Sequence, residues 1–118
     1  MEYTLNLKTR PFDAILARKK KIEIRACKNK YKKLKCNDRL LIMDMDTHRK
    51  MLCTILRITH YSSVLELLKA EGTEVTLSST KNIEEGIKSI ESIADYKERI
   101  KKNGVFAIEL VDPTLQIN

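Results

Sequence analysis

Five segments of this 118-residue sequence have the character of β-strands, and short helical segments separate them. Residues 3–8 and residues 21–25 alternate polar and apolar side chains with the period of two that a strand requires. Further apolar strand segments are residues 39–45, 51–60 and 105–111. A chain that begins and ends on a strand in this way is predicted to be an α+β protein. Its sheet should be curled, five-stranded and mostly antiparallel, with short flanking helices.

The segments between the predicted strands carry helix and turn signals. Thr9 is a candidate N-cap of the first helix, and Ser63 opens a capping box for a later one that Gly72 ends. Residues 37–38, Asn-Asp, predict a turn because both residue types tolerate the left-handed conformation. Residues 82–100 are predicted to be largely helical, although their glycine and serines argue against one straight helix.

Positive charge is concentrated in one segment. The chain has a net charge of +7, and residues 18–35 alone contain ten basic residues and a single acid, Glu23. Such a local field attracts phosphate backbones through counterion release, whereas a solvated lysine-rich loop is the alternative interpretation. Aromatic residues make up only 5% of the chain and Trp is absent, which argues against a wide base-stacking platform.

Other residue patterns exclude several classes of site and location. Cys27, Cys36 and Cys53 form no CxxC pair, and His48 and His60 stand apart from them, so no metal and no cofactor are expected. Three free thiols indicate a reducing compartment. An apolar signal run and a stretch of transmembrane length are both absent from the sequence. The expected location is therefore the cytoplasm, or the nucleus if the host has one.

Residues 18–25, with the sequence RKKKIEIR, resemble the signature of ASCH domains, Gly-x-Lys-x-x-Glu-x-Arg. Lys20, Glu23 and Arg25 fall on its three functional positions, and Arg18 replaces its glycine. Further similarity covers nearly the whole chain and is closest to small stand-alone members of that family. The similar segments are residues 5–15, 36–39, 58–68 and 104–110.

This resemblance implies a β-barrel related to the PUA fold, with a basic cleft lined by the signature. It also implies an ASCH domain over residues 1–112, followed by a C-terminal tail over residues 113–118. RNA binding, coactivator functions in larger proteins and hydrolytic activity in some small members are the roles that the family suggests. The expected partner is RNA, a nucleotide or a nucleoside, and no membrane.

The candidate ligand-binding residues are Lys20, Glu23, Arg25, Tyr61 and Tyr96. Arg25 offers a planar fork of donors for a phosphate or a base edge, and a salt bridge to Glu23 is its alternative role. Glu23 can accept hydrogen bonds from a nucleobase amine or orient the two cations. Lys20 can contact phosphate or polarise a carbonyl. Tyr61 is a stacking candidate with core packing as the alternative, and Tyr96 borders the cleft in related chains.

The alternation of residues 21–25 also carries a stability prediction. Ile22 and Ile24 are expected in the core, with Glu23 and Arg25 on the opposite, polar face. Glu23→Ala is therefore expected to leave a folded protein.

An RNA- or nucleotide-binding domain is the primary prediction, and the sequence leaves open whether the chain is an enzyme. The alternative is a hydrolase that uses Lys20 and Glu23 on RNA or a modified nucleoside. Small ASCH amidohydrolases that deacetylate N4-acetylcytidine are thought to use a Lys beside a Thr nucleophile, with an acid later in the chain. Here Glu23 occupies the Thr position, and Glu71 or Glu74 would be the acid. A ribonuclease is a second enzymatic alternative. A coactivator-type module that binds an acidic protein partner is the last.

Overall fold

The computed structural model describes residues 2–117. The first residue of the predicted domain, Met1, and the last residue of the predicted tail, Asn118, therefore lie outside the described range. The described residues form five strands and five short helices. The strands are β1 (Glu2–Leu7), β2 (Ile22–Ala26), β3 (Arg39–Asp44), β4 (Lys50–Tyr61) and β5 (Val105–Gln116). The helices are α1 (Thr9–Leu16), α2 (Asn29–Lys32), α3 (Val64–Glu71), α4 (Ile83–Glu91) and α5 (Tyr96–Asn103).

All five strands form one curled sheet in the order β1-β3-β4-β5-β2. β1 runs parallel to β3, and the other three strand pairs are antiparallel. The long β4–β5 ladder contains register shifts near Leu52 and Ile55, and such bulges bend a strand and increase its twist. The sheet is therefore a half-barrel with β1 and β2 at its edges. This confirms the predicted α+β class and the curled, mostly antiparallel, PUA-like architecture.

Two hydrophobic clusters cover the two faces of the sheet. The first contains Phe12 and Ile15 of α1 together with Ile42 and other buried residues of β1, β3, β4 and β5. In the second, Ile22 and Ile24 of β2 pack with residues of α3, α4 and α5. The alternation of β2 therefore places its isoleucines in a core, as the sequence predicts.

A buried carboxylate connects the start of α1 to the turn between β3 and β4. Asp44 is inaccessible to solvent and accepts hydrogen bonds from the hydroxyls of Thr9 and Thr47, from the Asp46 backbone N–H and from Arg49. Burial would raise the pKa of this carboxyl, but those hydrogen bonds hold the pKa well below its usual range. The predicted cap was wrong: α1 begins at Thr9 itself, whose side chain bonds Asp44 instead.

Residues 82–100 are largely helical but not one straight helix, as the sequence indicated, because Ser92 caps α4 and Asp95 takes a left-handed φ of 66° before α5 starts. The end of the chain differs from the sequence-based expectation. β5 continues to Gln116, and its residues 114–116 pair with β4. Most of the predicted C-terminal tail is therefore strand.

Candidate functional site

A tight turn between α1 and β2 sets the position of the signature residues. Arg18 has a φ of 64°, a left-handed value that glycine adopts without steric cost. Its guanidinium donates a hydrogen bond to the Leu110 carbonyl at 2.8 Å, which ties the turn to β5. Arg18 therefore keeps the backbone conformation that the signature glycine would supply. Lys20 follows in the same turn, before β2 begins, so the direction of its side chain is not set by the alternation of the strand.

Lys20 is buried, with 5% of its surface exposed. Its ammonium donates hydrogen bonds to the carbonyls of Ile22 and Thr76 and lies 3.6 Å from a carboxylate oxygen of Glu23. Burial lowers the pKa of Lys20, and the nearby Glu23 carboxylate opposes that shift. The contact with Thr76 holds the connection between α3 and α4 against the start of β2.

Glu23 and Arg25 form an ion pair on the face of β2 opposite its isoleucines. Arg25 Nε donates to Glu23 Oε2 at 2.7 Å, and Glu23 is only 5% exposed. Burial would lower the pKa of Arg25, but the Glu23 carboxylate raises it above the ordinary value. The polar face that the alternation predicted is therefore largely buried at Glu23.

Arg25 also bridges the two edges of the half-barrel. Its Nη2 donates to the backbone carbonyl of Asn6 on β1 at 3.0 Å, and its Nη1 lies 3.5 Å from the hydroxyl of Tyr31 on α2. Two residues earlier on β1, the carbonyl of Thr4 accepts a hydrogen bond from Lys30 of α2 at 2.7 Å. Two cationic side chains thus bond to carbonyls of β1 across the gap that separates it from β2.

A cleft of about 630 Å³ lies between the start of α1, β2, the connection that precedes α4 and the junction of α4 with α5. Four of the five candidate residues line it: Lys20, Glu23, Arg25 and Tyr96. The structure adds lining residues that the sequence did not single out. They include the polar Asn6, Lys8, Arg10, Thr76, Ser78, Ser79, Ser89 and Ser92 and the apolar Met45 and Ile93. Among the described residues of the lining, Glu23 is the only acid.

The two candidate tyrosines lie in different places. Tyr96 is buried in the cleft wall, where burial raises the pKa of its hydroxyl, and the Arg99 guanidinium lies 5.3 Å from its ring centre. Tyr61 is outside the cleft lining and packs against the second core, with its hydroxyl donating to Glu71. Tyr61 therefore occupies the core-packing position that was the alternative to its stacking role.

Neither acid proposed for an amidohydrolase reaches the cleft. Glu71 accepts two hydrogen bonds from Arg57, and both of these contacts lie on the face of β4 that α3 covers. Glu74 is exposed and pairs with Lys81 at 3.1 Å. The cleft therefore contains the matching lysine, Lys20, but neither of the two proposed acids. Glu23 stands at the position of the threonine nucleophile.

Three negative findings apply to residues 2–117. In this range, no three His, Cys, Asp or Glu side chains come together in a group that could hold a metal ion. No helix in the same range is long and apolar enough to cross a membrane. Cys27, Cys36 and Cys53 are free thiols, of which Cys36 is exposed.

Comparisons with known proteins agree with the fold. The sequence matches the family model of the ASCH domain over residues 5–114, whereas no curated protein matches. The solved structure of the hypothetical protein PH0355 is 36% identical with a TM-score of 0.82, over 96% of this chain and 99% of that one. Protein PF0455 from Pyrococcus furiosus is also 36% identical, with a TM-score of 0.73 over 96% of this chain and 97% of its own.

A more distant structure shows the same fold. The S128A mutant of ZmASCH from Zymomonas mobilis is 18% identical with a TM-score of 0.66, over 97% of this chain and 70% of that one. At this identity the likeness concerns the fold alone. The family match, in contrast, spans nearly the full sequence and contains the signature residues. The chain therefore belongs to the ASCH domain family.

Proposed function

We propose that this protein binds RNA or a nucleotide in the cleft. The observation that carries the proposal is the charge of the lining, where Lys8, Arg10, Lys20 and Arg25 are opposed only by Glu23 among the described residues. Cations that surround a concave site raise the local concentration of phosphate anions and steer them inward. The general resemblance of the ASCH fold to RNA-binding domains supports the same conclusion.

Arg25 is the proposed contact to the ligand, and Lys20 has a different role. The Lys20 ammonium already has two carbonyls and a carboxylate as partners, so it serves to hold the cleft wall. Arg25 is 15% exposed on its side chain and has more donors than its contacts to Glu23 and Asn6 require. Its partly desolvated guanidinium can therefore make a charge-assisted hydrogen bond to a phosphate or a base edge.

The remaining lining suits the uncharged parts of a nucleotide. Met45 and Ile93 are large apolar residues that stay 45% and 48% exposed at the cleft. The serine hydroxyls of the lining offer donors and acceptors of the kind that a sugar requires. The volume of the cleft also falls within the roughly 300–1,000 Å³ typical of small-molecule sites.

The proposal predicts weak binding that depends on salt and little on sequence. If about three phosphates are neutralised, the slope of log affinity against log salt on single-stranded RNA should be near −2. Fluorescence anisotropy with a labelled oligonucleotide over a series of salt concentrations measures this slope. An affinity that stays constant between low and moderate salt would rule out the electrostatic account.

A hydrolase remains the second candidate because of one observation: a lysine whose pKa is lowered by burial lies beside a carboxylate in the cleft. We nevertheless expect the protein to release no acetate from N4-acetylcytidine, since the ammonium of Lys20 is occupied by backbone carbonyls and the nucleophile position holds Glu23. Chromatography of the nucleoside after incubation tests this. Turnover that disappears in Lys20→Ala would establish the hydrolase instead.

A further inference from the structure

A lysine-rich surface at helix α2 lies outside the cleft. Helix α2 is anchored to the first core by buried Tyr31, and buried Leu34 follows it. Five lysines in and around this helix are exposed, and none of them belongs to the cleft lining. One of the five, Lys30, bonds the Thr4 carbonyl of β1. The other four, called the α2 patch below, are Lys28, Lys32, Lys33 and Lys35. The proposed function does not use them.

The α2 patch is continuous with the cleft along β1. Lys30 of α2 contacts Thr4 of β1, and Arg25 of the cleft contacts Asn6 of the same strand. Thr4, Asn6 and Lys8 are exposed alternate positions, and Asn6 and Lys8 also line the cleft. With about 3.3 Å per residue, the path from Thr4 to Lys8 is about 13 Å long. A polar edge with cations at both ends therefore joins the helix to the cleft.

We propose that the cleft, the exposed edge of β1 and the α2 patch form one track for a single-stranded nucleic acid. One nucleotide enters the cleft, and the phosphates on one side of it run along β1 toward the lysines of α2. This inference rests on the proposed function and extends it from one nucleotide to a strand. Charge complementarity is the basis, since residues 18–35 contain ten basic residues and a single acid, in a chain whose net charge is +7.

A single strand fits this surface better than a duplex. In this proposal the cleft holds one nucleotide, and a base within a duplex would first have to leave its stack at a cost of a few kcal/mol. The track also offers few aromatic rings for successive bases, so its contacts with the strand are mainly to phosphate. Such contacts tolerate different sequences and depend strongly on salt.

The test compares a mononucleotide with a strand. Uridine monophosphate and an oligouridylate of about eight nucleotides, within the ~4–16 nucleotides typical of single-strand sites, are titrated against wild type and a variant with the α2 patch neutralised. That variant carries K28Q, K32Q, K33Q and K35Q. We expect the oligonucleotide to bind wild type about ten-fold or more tightly than the mononucleotide. The variant should lose most of this advantage while its mononucleotide affinity changes less than about two-fold, and its salt slope should fall by about 0.7 per lost phosphate contact.

A second variant separates the position of the charges from their number. It carries K69Q, K97Q, K101Q and K102Q, four exposed lysines of α3 and α5 outside the cleft lining, and so loses the same charge. It should keep the oligonucleotide advantage. Circular dichroism checks that each variant is folded. K33Q alone removes the lysine at the C-cap of α2, and it should reduce the oligonucleotide advantage less than the four-lysine α2 variant does.

Three results would overturn the track. They are an oligonucleotide that binds no more tightly than the mononucleotide, an equal loss in the two four-lysine variants, or a polyglutamate peptide of equal charge that competes as well as RNA. The last result would assign the α2 patch to an acidic protein. Failure of the proposed function is distinct, because then uridine monophosphate itself would not bind, or would bind equally well after Arg25→Ala.

Discussion

Replacing Glu23 with alanine should lower the free energy of unfolding by about 3–5 kcal/mol, because it leaves buried charge without its counterion. Glu23 is 5% exposed and contacts both Lys20 and Arg25. Without the carboxylate, the cations of Lys20 and Arg25 would lie close together in a site that excludes most water. From the sequence alone, Glu23 was expected on the polar face of its strand, and Glu23→Ala was expected to leave a folded protein. Denaturant unfolding followed by circular dichroism measures the change.

Two companion variants show whether charge pairing is the cause. Glu98→Ala removes an exposed carboxylate from α5 and should change the free energy of unfolding by less than about 0.5 kcal/mol. Combining Lys20→Met with Glu23→Leu replaces the ion pair by apolar side chains and should cost less than the sum of the single changes. If Glu23→Ala is no more destabilising than Glu98→Ala, the buried cluster does not exist as described.

Arg25→Lys should weaken mononucleotide binding almost as much as Arg25→Ala, by about ten-fold or more. Loss of a charge-assisted hydrogen bond costs roughly 1.5–3 kcal/mol, and lysine keeps the charge but not the planar fork. The fork also matters within the protein, since separate nitrogens of Arg25 bond Glu23 and Asn6. Isothermal titration with uridine monophosphate measures the affinity, and circular dichroism verifies that each variant is folded.

The matched control for this measurement is Lys32→Ala in the α2 patch. Lys32 is exposed and outside the cleft lining, so its loss should leave mononucleotide affinity within about two-fold of wild type. The cleft assignment is wrong if Arg25→Lys binds as wild type does while Lys32→Ala does not. The helix surface would then be the binding site by itself.

Local structure was largely predictable from the sequence because it depends on nearby residues. The period of two identified β1 and β2, and apolar runs identified the other three strands. Ser63 caps α3 by accepting from the Glu66 backbone N–H, as the capping box predicted. The order of the strands was not predictable in the same way. Nothing in the pattern of β1 states that it pairs in parallel with β3, or that β2 pairs with β5.

The candidate site was predictable to the same local extent. The signature brought Lys20, Glu23 and Arg25 together, and their ligand role stays a prediction. Alternation shows only that the two faces of β2 differ, so it could not reveal that β1 and the connection before α4 cover the polar one. Lys8 and Arg10 were missed for the same reason, because their place in the cleft depends on two strand edges that meet only through side chains.

The pairing of β2 with β5 has a consequence for how the protein is made. Ile22 has Glu109 as its partner, so the strand that carries the signature is synthesised well before the strand with which it pairs. A nascent chain leaves the ribosome N-terminus first, and contacts between residues far apart in sequence form slowly. Until β5 emerges, Glu23 and Arg25 lie on a strand without a neighbour in the sheet. The nascent chain therefore exposes its basic segment before it can form the cleft, because the cleft requires β2 to be held in the sheet by β5.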